Sequence, residues 1–386
     1  MITTVQQSGV AVEQIVSASQ LDDLYAEWNE LVATVRPDLP FSTPQWMAAW
    51  WTNLRRHNRW TRDTLRVLAF RRSGRLIAVA PYMITTRVIL GVPVLRVFQP
   101  IGTDPNITEI RGMLVAAQDE CDVTAALVDY TIESIGCDEI VISGVRDESA
   151  AIALVARSDV IEVEPRSMFV LELPATWDEL RAALPRNMRE SLRKCRNSLA
   201  RDGHVPTFRA LAAEEQIVAM LPRFLELHQS RAEATDTVPH RDVFARACDR
   251  DFLRDITRRL ASAGRARLFT MEIEGVVVAA RLAMVCGDAL YLYYSGYDTT
   301  WGKYSVMTSV TSEAIQYAIT NGFRHVNLST GADQSKLRWR PREIVTRSFM
   351  IRRASIQGHV IRWAIETGRS IRGNVDQRRT SSAQRG

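Results

Sequence analysis

The segment from Asp298 to Ser305 contains residue types that suit the binding of a phosphate group. It joins a predicted aromatic strand, Ala289–Tyr297, to a helix predicted over Tyr304–Thr320. The first N–H groups of a helix have no partners within the helix, and with the helix dipole they favour an anion such as a pyrophosphate. An ordinary strand-to-helix turn would show the same pattern. The candidate cofactor-binding residues are Gly302, Lys303, Tyr304 and Ser305.

A second group of candidates follows the next predicted strand, Phe323–Leu328. Lys336 comes after a turn at the end of this strand, which is a usual place for a site in an open α/β sheet. A lysine there could stabilise negative charge on a carbonyl oxygen or a leaving group, so Lys336 is the first catalytic candidate. Asp298 is the second, although it could simply shape its loop. A surface loop with solvated charges is the competing interpretation. The nearby substrate-binding candidates are Asp333, which could orient an amine, and Arg338.

The helix predicted over Arg186–Ala200 has a stripe of arginines beside its apolar stripe. Four guanidinium groups in a row could bind a phosphate-bearing substrate or an RNA backbone. A solvated face with salt bridges to acidic neighbours is equally compatible with the pattern. The stripe consists of Arg186, Arg189, Arg193 and Arg196, of which the first two are the substrate-binding candidates.

A polar loop in the first half, Gly102–Glu109, follows a predicted strand and could line an acceptor pocket between two halves of the chain. Its candidate substrate-binding residues are Asp104 and Asn106, which are also common turn residues. The six histidines show no metal-ligand spacing, so no metal site is predicted. No GxSxG motif or Cys/His arrangement suggests a covalent acyl-enzyme.

The elements that must position these residues follow one order twice: helix, helix, hairpin, strand, helix, strand. This repetition predicts an α/β protein with two tandem units, each a mixed, mostly antiparallel sheet flanked by helices. The hairpins are predicted over 65–84 and 267–285, and a helix over 241–263. The predicted boundaries are an N-terminal domain over 1–165, a donor-binding C-terminal domain over 166–365, and a basic, disordered tail over 366–386.

The overall composition is that of a globular protein, with 46% hydrophobic and 24% charged residues. The net charge is +5, but residues 351–386 contain eight arginines against Glu366 and Asp376, so the basic excess lies in the tail. No apolar run is long enough to span a membrane, and the first residues do not resemble a signal peptide. Five scattered cysteines indicate free thiols in a reducing compartment. We therefore expect a cytoplasmic protein of undetermined oligomeric state.

The region from Tyr291 to Trp339 resembles the CelD/BcsL-type acetyltransferases of the GNAT superfamily, tandem-GNAT proteins related in fold to the Fem aminoacyltransferases. The matching positions are the strand and turn Tyr294–Asp298, the loop and helix from Lys303, the ending Gly331, Lys336 and Trp339, the basic helix from Arg186, and His228 with Arg231. The resemblance implies an acyl-CoA donor, acetyl or longer, with its pyrophosphate at the helix after Lys303. It also implies direct attack by an amine.

Three positions depart from the pattern of this family. Asn327 stands where the family commonly has Asp, and Ser335 where it has Tyr. The glycine near the end of the phosphate loop is replaced by Ser305-Val306-Met307. These departures argue against a general base at position 327 and leave Lys336 as the strongest candidate.

Three hypotheses follow. The first is an N-acyltransferase that moves an acyl group from CoA to an amine of a small metabolite or amino sugar. The second, motivated by the arginine stripe and the basic tail, is a Fem-like transferase with an aminoacyl-tRNA donor. The third is a degenerate GNAT pair that binds ligands or partners without catalysis.

Overall fold

The computed structural model of the protein describes residues 2–4, 9–36, 39–104, 106–234 and 240–353. The strands are β1 (Ile2–Thr4), β2 (Val10–Ile15), β3 (Thr61–Leu65), β4 (Val67–Arg72), β5 (Arg75–Ala80), β6 (Tyr82–Ile89), β7 (Val92–Pro100), β8 (Leu114–Val115), β9 (Glu139–Val145), β10 (Val160–Glu172), β11 (Thr207–Leu211), β12 (Ala266–Ile273), β13 (Val276–Cys286), β14 (Ala289–Tyr297), β15 (His325–Thr330) and β16 (Arg342–Arg352). The α-helices are α1 (Ala18–Thr34), α2 (Pro44–Asn53), α3 (Glu120–Ser134), α4 (Glu148–Val155), α5 (Trp177–Ala183), α6 (Arg186–Arg201), α7 (Glu214–Glu233), α8 (Ala247–Ser262), α9 (Val306–Thr320) and α10 (Gln334–Leu337).

The strands form two sheets. The smaller sheet has the order β1-β2-β4-β5-β8, and the larger has the order β11-β12-β13-β14-β15-β10-β16-β9-β7-β6-β3. The larger sheet therefore contains strands from both halves of the chain. Its central strand β10 pairs with both β15 and β16 and crosses the predicted domain boundary between residues 165 and 166. The last strand, β16, also pairs with β9 of the first half.

Each half contains one strand–helix–strand unit with parallel strands. In the first half, β7 and β9 are parallel and α3 lies between them in sequence. In the second half, β14 and β15 are parallel and α9 lies between them. The remaining pairs of the larger sheet are antiparallel. The predicted α/β class with two tandem units of mixed, mostly antiparallel sheet is therefore confirmed.

The predicted first hairpin differs from the structure at Pro81. The sequence predicts one strand over 76–84, but β5 ends at Ala80 in the smaller sheet and β6 begins at Tyr82 in the larger one. Proline cannot donate a ladder hydrogen bond, so the chain changes sheet at this residue. Pro81 still accepts a bond from the N–H of Ile101 at 2.8 Å.

The largest apolar core lies between the two halves. Helices α1 and α2 of the first half contribute Trp28 and Trp46, and helix α8 of the second half contributes Phe252. The rings of Trp46 and Phe252 meet edge to face with centroids 5.0 Å apart. Phe41 packs in the same way on Tyr291 of β14, at 5.3 Å. The tryptophans predicted over 46–51 thus serve mainly as core, and the halves share a continuous apolar interior.

Two further predictions concern the start of helix α8 and the cysteines. The helix predicted over 241–263 is wrong at its start, because α8 begins only at Ala247; a hydrogen bond from the Phe244 N–H to Asp242 Oδ1, at 3.0 Å, holds the preceding turn. No disulfide bond joins the five cysteines, and Cys137, Cys195 and Cys286 are buried. The predicted tail over 366–386 lies outside the described residues.

Candidate active site

A cavity of about 320 Å³ lies where β14 and β15 separate. The parallel pairing of these strands runs from Ala289↔His325 to Tyr291↔Asn327, whereas β14 continues to Tyr297 and β15 to Thr330. The gap beyond the last pair is lined by Tyr297 and Leu328. The other walls come from the loop before α9, the first turn of α9, and the segment around α10; they include Gly302, Ser305, Thr308, Asp333, Lys336 and Arg338.

The loop before α9 is a 3₁₀ helix, Thr299–Tyr304, that begins at Asp298. The Asp298 carboxylate accepts bonds from the N–H of Thr300 at 3.0 Å and from its hydroxyl at 2.7 Å. Asp298 does not line the cavity, and its contacts are those of a residue that shapes the loop. Ser305 then adopts a left-handed conformation, with φ of 54°, and turns the chain into α9.

The four candidate cofactor-binding residues divide between two faces of this loop. Gly302 and Ser305 line the cavity. Lys303 and Tyr304 line a separate, more open depression beside the end of α6. There the Tyr304 hydroxyl donates to Asp202 at 2.9 Å, and the Lys303 ammonium lies 4.7 Å from the Tyr304 ring centroid. A pyrophosphate at the start of α9 would therefore contact Gly302 and Ser305 on the cavity side.

Lys336 reaches the cavity wall from α10 with its ammonium group already engaged. It donates to the carbonyl oxygen of Thr330 and to that of Gly331 at 3.3 Å, and it pairs with Asp333 at 3.2 Å. Burial lowers the pKa of Lys336, and the Asp333 carboxylate opposes that shift. Because an ammonium has three N–H groups, Lys336 can donate to a substrate oxygen only by exchanging a partner. The bond to Gly331 is the longer of the two carbonyl contacts.

Asp333 lies beside Lys336 in the same segment. Burial raises its pKa, but the hydrogen bond from Ser335 and the interactions with Lys336 outweigh burial and leave the pKa below its ordinary value. Asp333 is therefore ionised at neutral pH and can accept a hydrogen bond from an amine. Arg338 donates through Nη2 to the Thr308 hydroxyl at 2.6 Å, next to the first turn of α9, while its buried Nε has no partner.

Two arginines that were not among the predicted site residues also line the cavity, although Arg231 is one of the positions that carry the family resemblance. Arg231, near the end of α7, donates to the Ser295 hydroxyl at 2.6 Å and also contacts His240. Arg281, in the middle of β13, contacts the same hydroxyl at 3.4 Å. Between the pairs Ala283↔Leu292 and Arg281↔Ser295, β14 contains one more residue than β13, so a β-bulge sets this alignment. The available sequence signal was a single arginine inside an otherwise apolar strand.

Asp104 and Asn106 do not line the cavity. Asp104 accepts bonds from the Trp50 indole at 2.8 Å and from the Thr108 hydroxyl at 2.7 Å. The Tyr294 hydroxyl donates to the Asn106 carbonyl oxygen at 2.7 Å. Asp104 thus links the 101–112 loop to helix α2, and Asn106 holds it against β14. These contacts fit the turn role that the sequence also allowed.

Glu109 of the same loop forms a buried polar contact between the halves. It accepts bonds from the hydroxyl groups of Tyr291, at 2.5 Å, and Ser329, at 2.7 Å. Burial raises the pKa of Glu109 against the lowering effect of these two bonds. Ser329 has a positive φ of 72°, and its N–H donates to the Asn327 side chain at 2.8 Å. Asn327 therefore stabilises the end of β15. The buried carboxylate of this region belongs to Glu109 and not to position 327.

Arg186 and Arg189 belong to a different part of the surface. They line a cavity of about 560 Å³ between α6 and α9, together with Arg193, Arg196 and Glu313. Arg186 pairs with Glu190 at 2.7 Å, and Arg189 reaches the Ala182 carbonyl oxygen at 3.5 Å. The structure does not bring these two candidates into the cavity of Lys336.

Two features are absent from the described residues. Within 2–4, 9–36, 39–104, 106–234 and 240–353, no group of three His, Cys, Asp or Glu side chains could hold a metal ion. None of the helices in these ranges is long and apolar enough to cross a bilayer.

Comparison with known proteins shows a matching domain and a similar fold. Residues 186–337 match a family model described as an acetyltransferase (GNAT) domain. The fold is similar to the crystal structure of FemX, with a TM-score of 0.58 and 14% identity over 87% of this chain and 96% of that one. No curated protein sequence matches the chain.

Two other solved structures align over most of their length with lower TM-scores. One is the C-terminal domain of a putative lysylphosphatidylglycerol synthetase from Agrobacterium fabrum, at 0.48 and 12% identity over 89% of this chain and 96% of that one. The other is a tandem GNAT protein from the clavulanic acid biosynthesis pathway, at 0.41 and 11% identity over 88% and 97%. We conclude that residues 186–337 resemble an acetyltransferase (GNAT) domain and that the fold of the chain, with its repeated strand–helix–strand units, is similar to that of FemX.

Proposed function

We propose that the protein is an N-acyltransferase that moves an acyl group, acetyl or longer, from acyl-CoA to an amine of a small metabolite or amino sugar. The observation that carries the proposal is the cavity at the separation of β14 and β15. It brings the start of α9, the strand ends and Lys336 together inside the region matched by the GNAT domain. In this proposal residues 166–365 form the donor-binding domain and residues 1–165 the N-terminal domain.

The donor's phosphates would lie against the start of α9. Gly302 and Ser305 border the cavity there, and the helix dipole favours an anion. A Cβ atom on Gly302 would meet only the Tyr297 ring, at 3.7 Å, so the backbone is open to close approach. Arg338 adds a guanidinium whose Nε is buried without a partner. Because Arg338 lines the cavity, its guanidinium would donate to a phosphate oxygen there.

The reaction would proceed by direct attack. The amine nitrogen bonds to the thioester carbonyl carbon, the C–S bond breaks, and the proton lost by nitrogen ends on the CoA thiol or in solvent. Holding amine and thioester together supplies much of the rate enhancement. Lys336 would stabilise the negative charge on the carbonyl oxygen in exchange for its bond to Gly331, and Asp333 would orient the amine.

Isothermal titration with acetyl-CoA and with longer acyl-CoAs tests the donor. We expect binding by the wild-type protein and a Kd raised about tenfold in Arg338→Gln, because a charge-assisted hydrogen bond is lost. Lys303→Gln, on the opposite face of the loop, measures how much that face contributes to acyl-CoA binding. Arg254→Gln, at an exposed position on α8, is the control and should leave the Kd unchanged. Absence of binding to every acyl-CoA would contradict the proposal.

A second candidate donor, an aminoacyl-tRNA, is favoured by the surface of α6. Arg193 belongs to the borders of two open cavities, one towards α9 and one towards Lys303. Cationic side chains spread over both borders would suit a nucleic-acid backbone. This candidate predicts tRNA binding that weakens with salt and is lost in the double variant Arg189→Ala/Arg193→Ala. Binding that is absent, or insensitive to salt, would contradict it.

The third possibility is a non-catalytic member of the fold. It predicts ligand binding without turnover for every donor and amine tested. Turnover that disappears in Lys336→Ala, with an unchanged melting temperature, would exclude it. Turnover that persists in Lys336→Ala would instead remove Lys336 from the mechanism.

A further inference from the structure

Two guanidinium groups in the cavity converge on a single hydroxyl. Arg231 and Arg281 both donate to Ser295 Oγ, at 2.6 and 3.4 Å. The other contact of Arg231 is His240, whose pKa is lowered to about 4 by burial and by Arg231 itself, so the ring is neutral at pH 7. Within the described residues neither guanidinium forms an ion pair with a carboxylate. Two positive charges therefore face each other across one neutral oxygen.

The rest of the cavity does not neutralise this pair. Among the described residues that line the cavity, the charged ones are the cations Arg231, Arg281, Lys336 and Arg338 and the carboxylate of Asp333, which gives these residues a formal net charge of +3. Asp333 is already paired with Lys336 at 3.2 Å. Burial lowers the pKa of Arg281 to about 10, so it remains charged at neutral pH, and its buried Nε has no partner. The described residues of the cavity wall therefore carry an excess of positive charge.

Such an arrangement is unfavourable until an anion enters. A like-charged pair removed from bulk water repels, and each buried donor without a partner costs free energy. Guanidinium groups bind carboxylates and phosphates through two parallel hydrogen bonds, which would satisfy both requirements at once. The cost in the free protein is therefore recovered on binding an anionic group.

The position of the pair separates it from the proposed donor site. Arg281 belongs to β13 and Arg231 to α7, whereas Arg338 bonds to Thr308 in the first turn of α9. If the donor's phosphates lie at α9, as in the proposed function on which this step rests, the Arg231–Arg281 pair remains for the other substrate. We propose that the amine acceptor carries an anionic group, a carboxylate or a phosphate, and that Arg231 and Arg281 bind it.

Titration calorimetry with acetate and with inorganic phosphate, on protein saturated with CoA, tests this site. We expect at least one of these anions to bind the wild-type protein. Its Kd should rise about tenfold or more in Arg281→Gln and in Arg231→Gln, and stay unchanged in Arg254→Gln. The affinity for CoA should be unchanged in Arg281→Gln. The anion that binds more tightly identifies the carboxylate or phosphate class.

Each other outcome is decisive. If neither anion binds the wild-type protein, the site does not exist. If CoA displaces the anion and Arg281→Gln weakens CoA binding, the pair holds the donor's phosphates and the assignment to the acceptor fails. If CoA itself does not bind, the titration on free protein still tests the anion site, while the proposed donor is contradicted. Should Arg281→Gln fail to fold, Arg281→Lys and Arg231→Gln provide the same comparison.

Discussion

Two polar clusters lie on either side of Lys336, and they differ in whether their hydrogen-bonding groups are satisfied. The first joins the halves of the chain: Glu109 receives the hydroxyl groups of Tyr291 and Ser329. The second lines the cavity: Arg231 and Arg281 share one serine hydroxyl and have no anionic partner among the described residues. We call them the Glu109 cluster and the arginine cluster.

The difference between the clusters separates folding from binding. A buried polar group with its partners in place contributes to one specific packing of the two halves. A buried cation without a counterion lowers the stability of the free protein and becomes favourable only with a ligand. Lys336 interacts electrostatically with Glu109 of one cluster and with Arg281 of the other, so it connects the two clusters.

The largest effect is expected at Lys336. Lys336→Met removes the cation nearest the proposed reacting carbonyl, and we expect kcat/KM to fall about 100- to 1000-fold, roughly 3–4 kcal/mol. Steady-state kinetics with the best acyl-CoA and amine measure this. Lys303→Met, which faces away from the cavity, is the matched control. Equal losses of kcat/KM in both variants would show that any positive charge near the loop supports the reaction and that Lys336 has no role distinct from that of Lys303.

Loss of the Glu109 cluster is expected to weaken folding. Glu109→Ala leaves two buried hydroxyl groups without an acceptor, and we expect the free energy of unfolding to fall by about 2–4 kcal/mol. Denaturant unfolding measures it. Tyr291→Phe removes only one donor and should cost less, and the double variant should be less than additive. A Glu109→Ala protein of unchanged stability would show that this contact does not hold the halves together.

The Glu109 cluster should also make stability depend on pH. Because burial raises the pKa of Glu109, the folded protein retains a proton that the unfolded protein releases. This contribution is therefore lost as pH rises from the ordinary glutamate pKa through the raised one. The stability of the wild-type protein relative to Glu109→Gln should fall over that interval in denaturant titrations. A difference that grows with pH would mean that Glu109 is ionised in the folded state.

The smallest effect is expected in the arginine cluster without ligand. Arg281→Gln removes a charge that has no counterion, so the melting temperature should stay the same or rise, with a change in stability within about 1 kcal/mol. Differential scanning fluorimetry measures it. A destabilisation comparable to that of Glu109→Ala would show that Arg281 is structural and that the two clusters do not differ.

Local sequence patterns predicted the elements around the cavity well. Helix α6 was predicted to begin at Arg186, and β14 was predicted with its observed bounds, Ala289–Tyr297. Helix α9 ends at Thr320, as the following Asn321-Gly322 indicated. These features depend on periodicity and end signals within a few residues of each other, which a single sequence contains.

The contents of the cavity could not be obtained in this way. Glu109 and Tyr291 are 182 residues apart, and their contact depends on how the halves pack. The alignment of Arg281 with Ser295 depends on the bulge in β14. A bulge changes the face of the sheet to which the later side chains of the strand point. The sequence also could not decide whether Asp104 and Asn106 contact a ligand or stabilise a turn, because that depends on which residues pack against them.

The position of β16 has a consequence for how the chain is made. Residues 347–352 complete the edge of β9, which was synthesised about two hundred residues earlier. During translation, β9 presents an unpaired edge until the final strand leaves the ribosome, and an open edge invites pairing with another chain. A protein shortened before residue 342 would keep that edge permanently. Premature stop variants of this chain should therefore aggregate instead of forming a soluble first half.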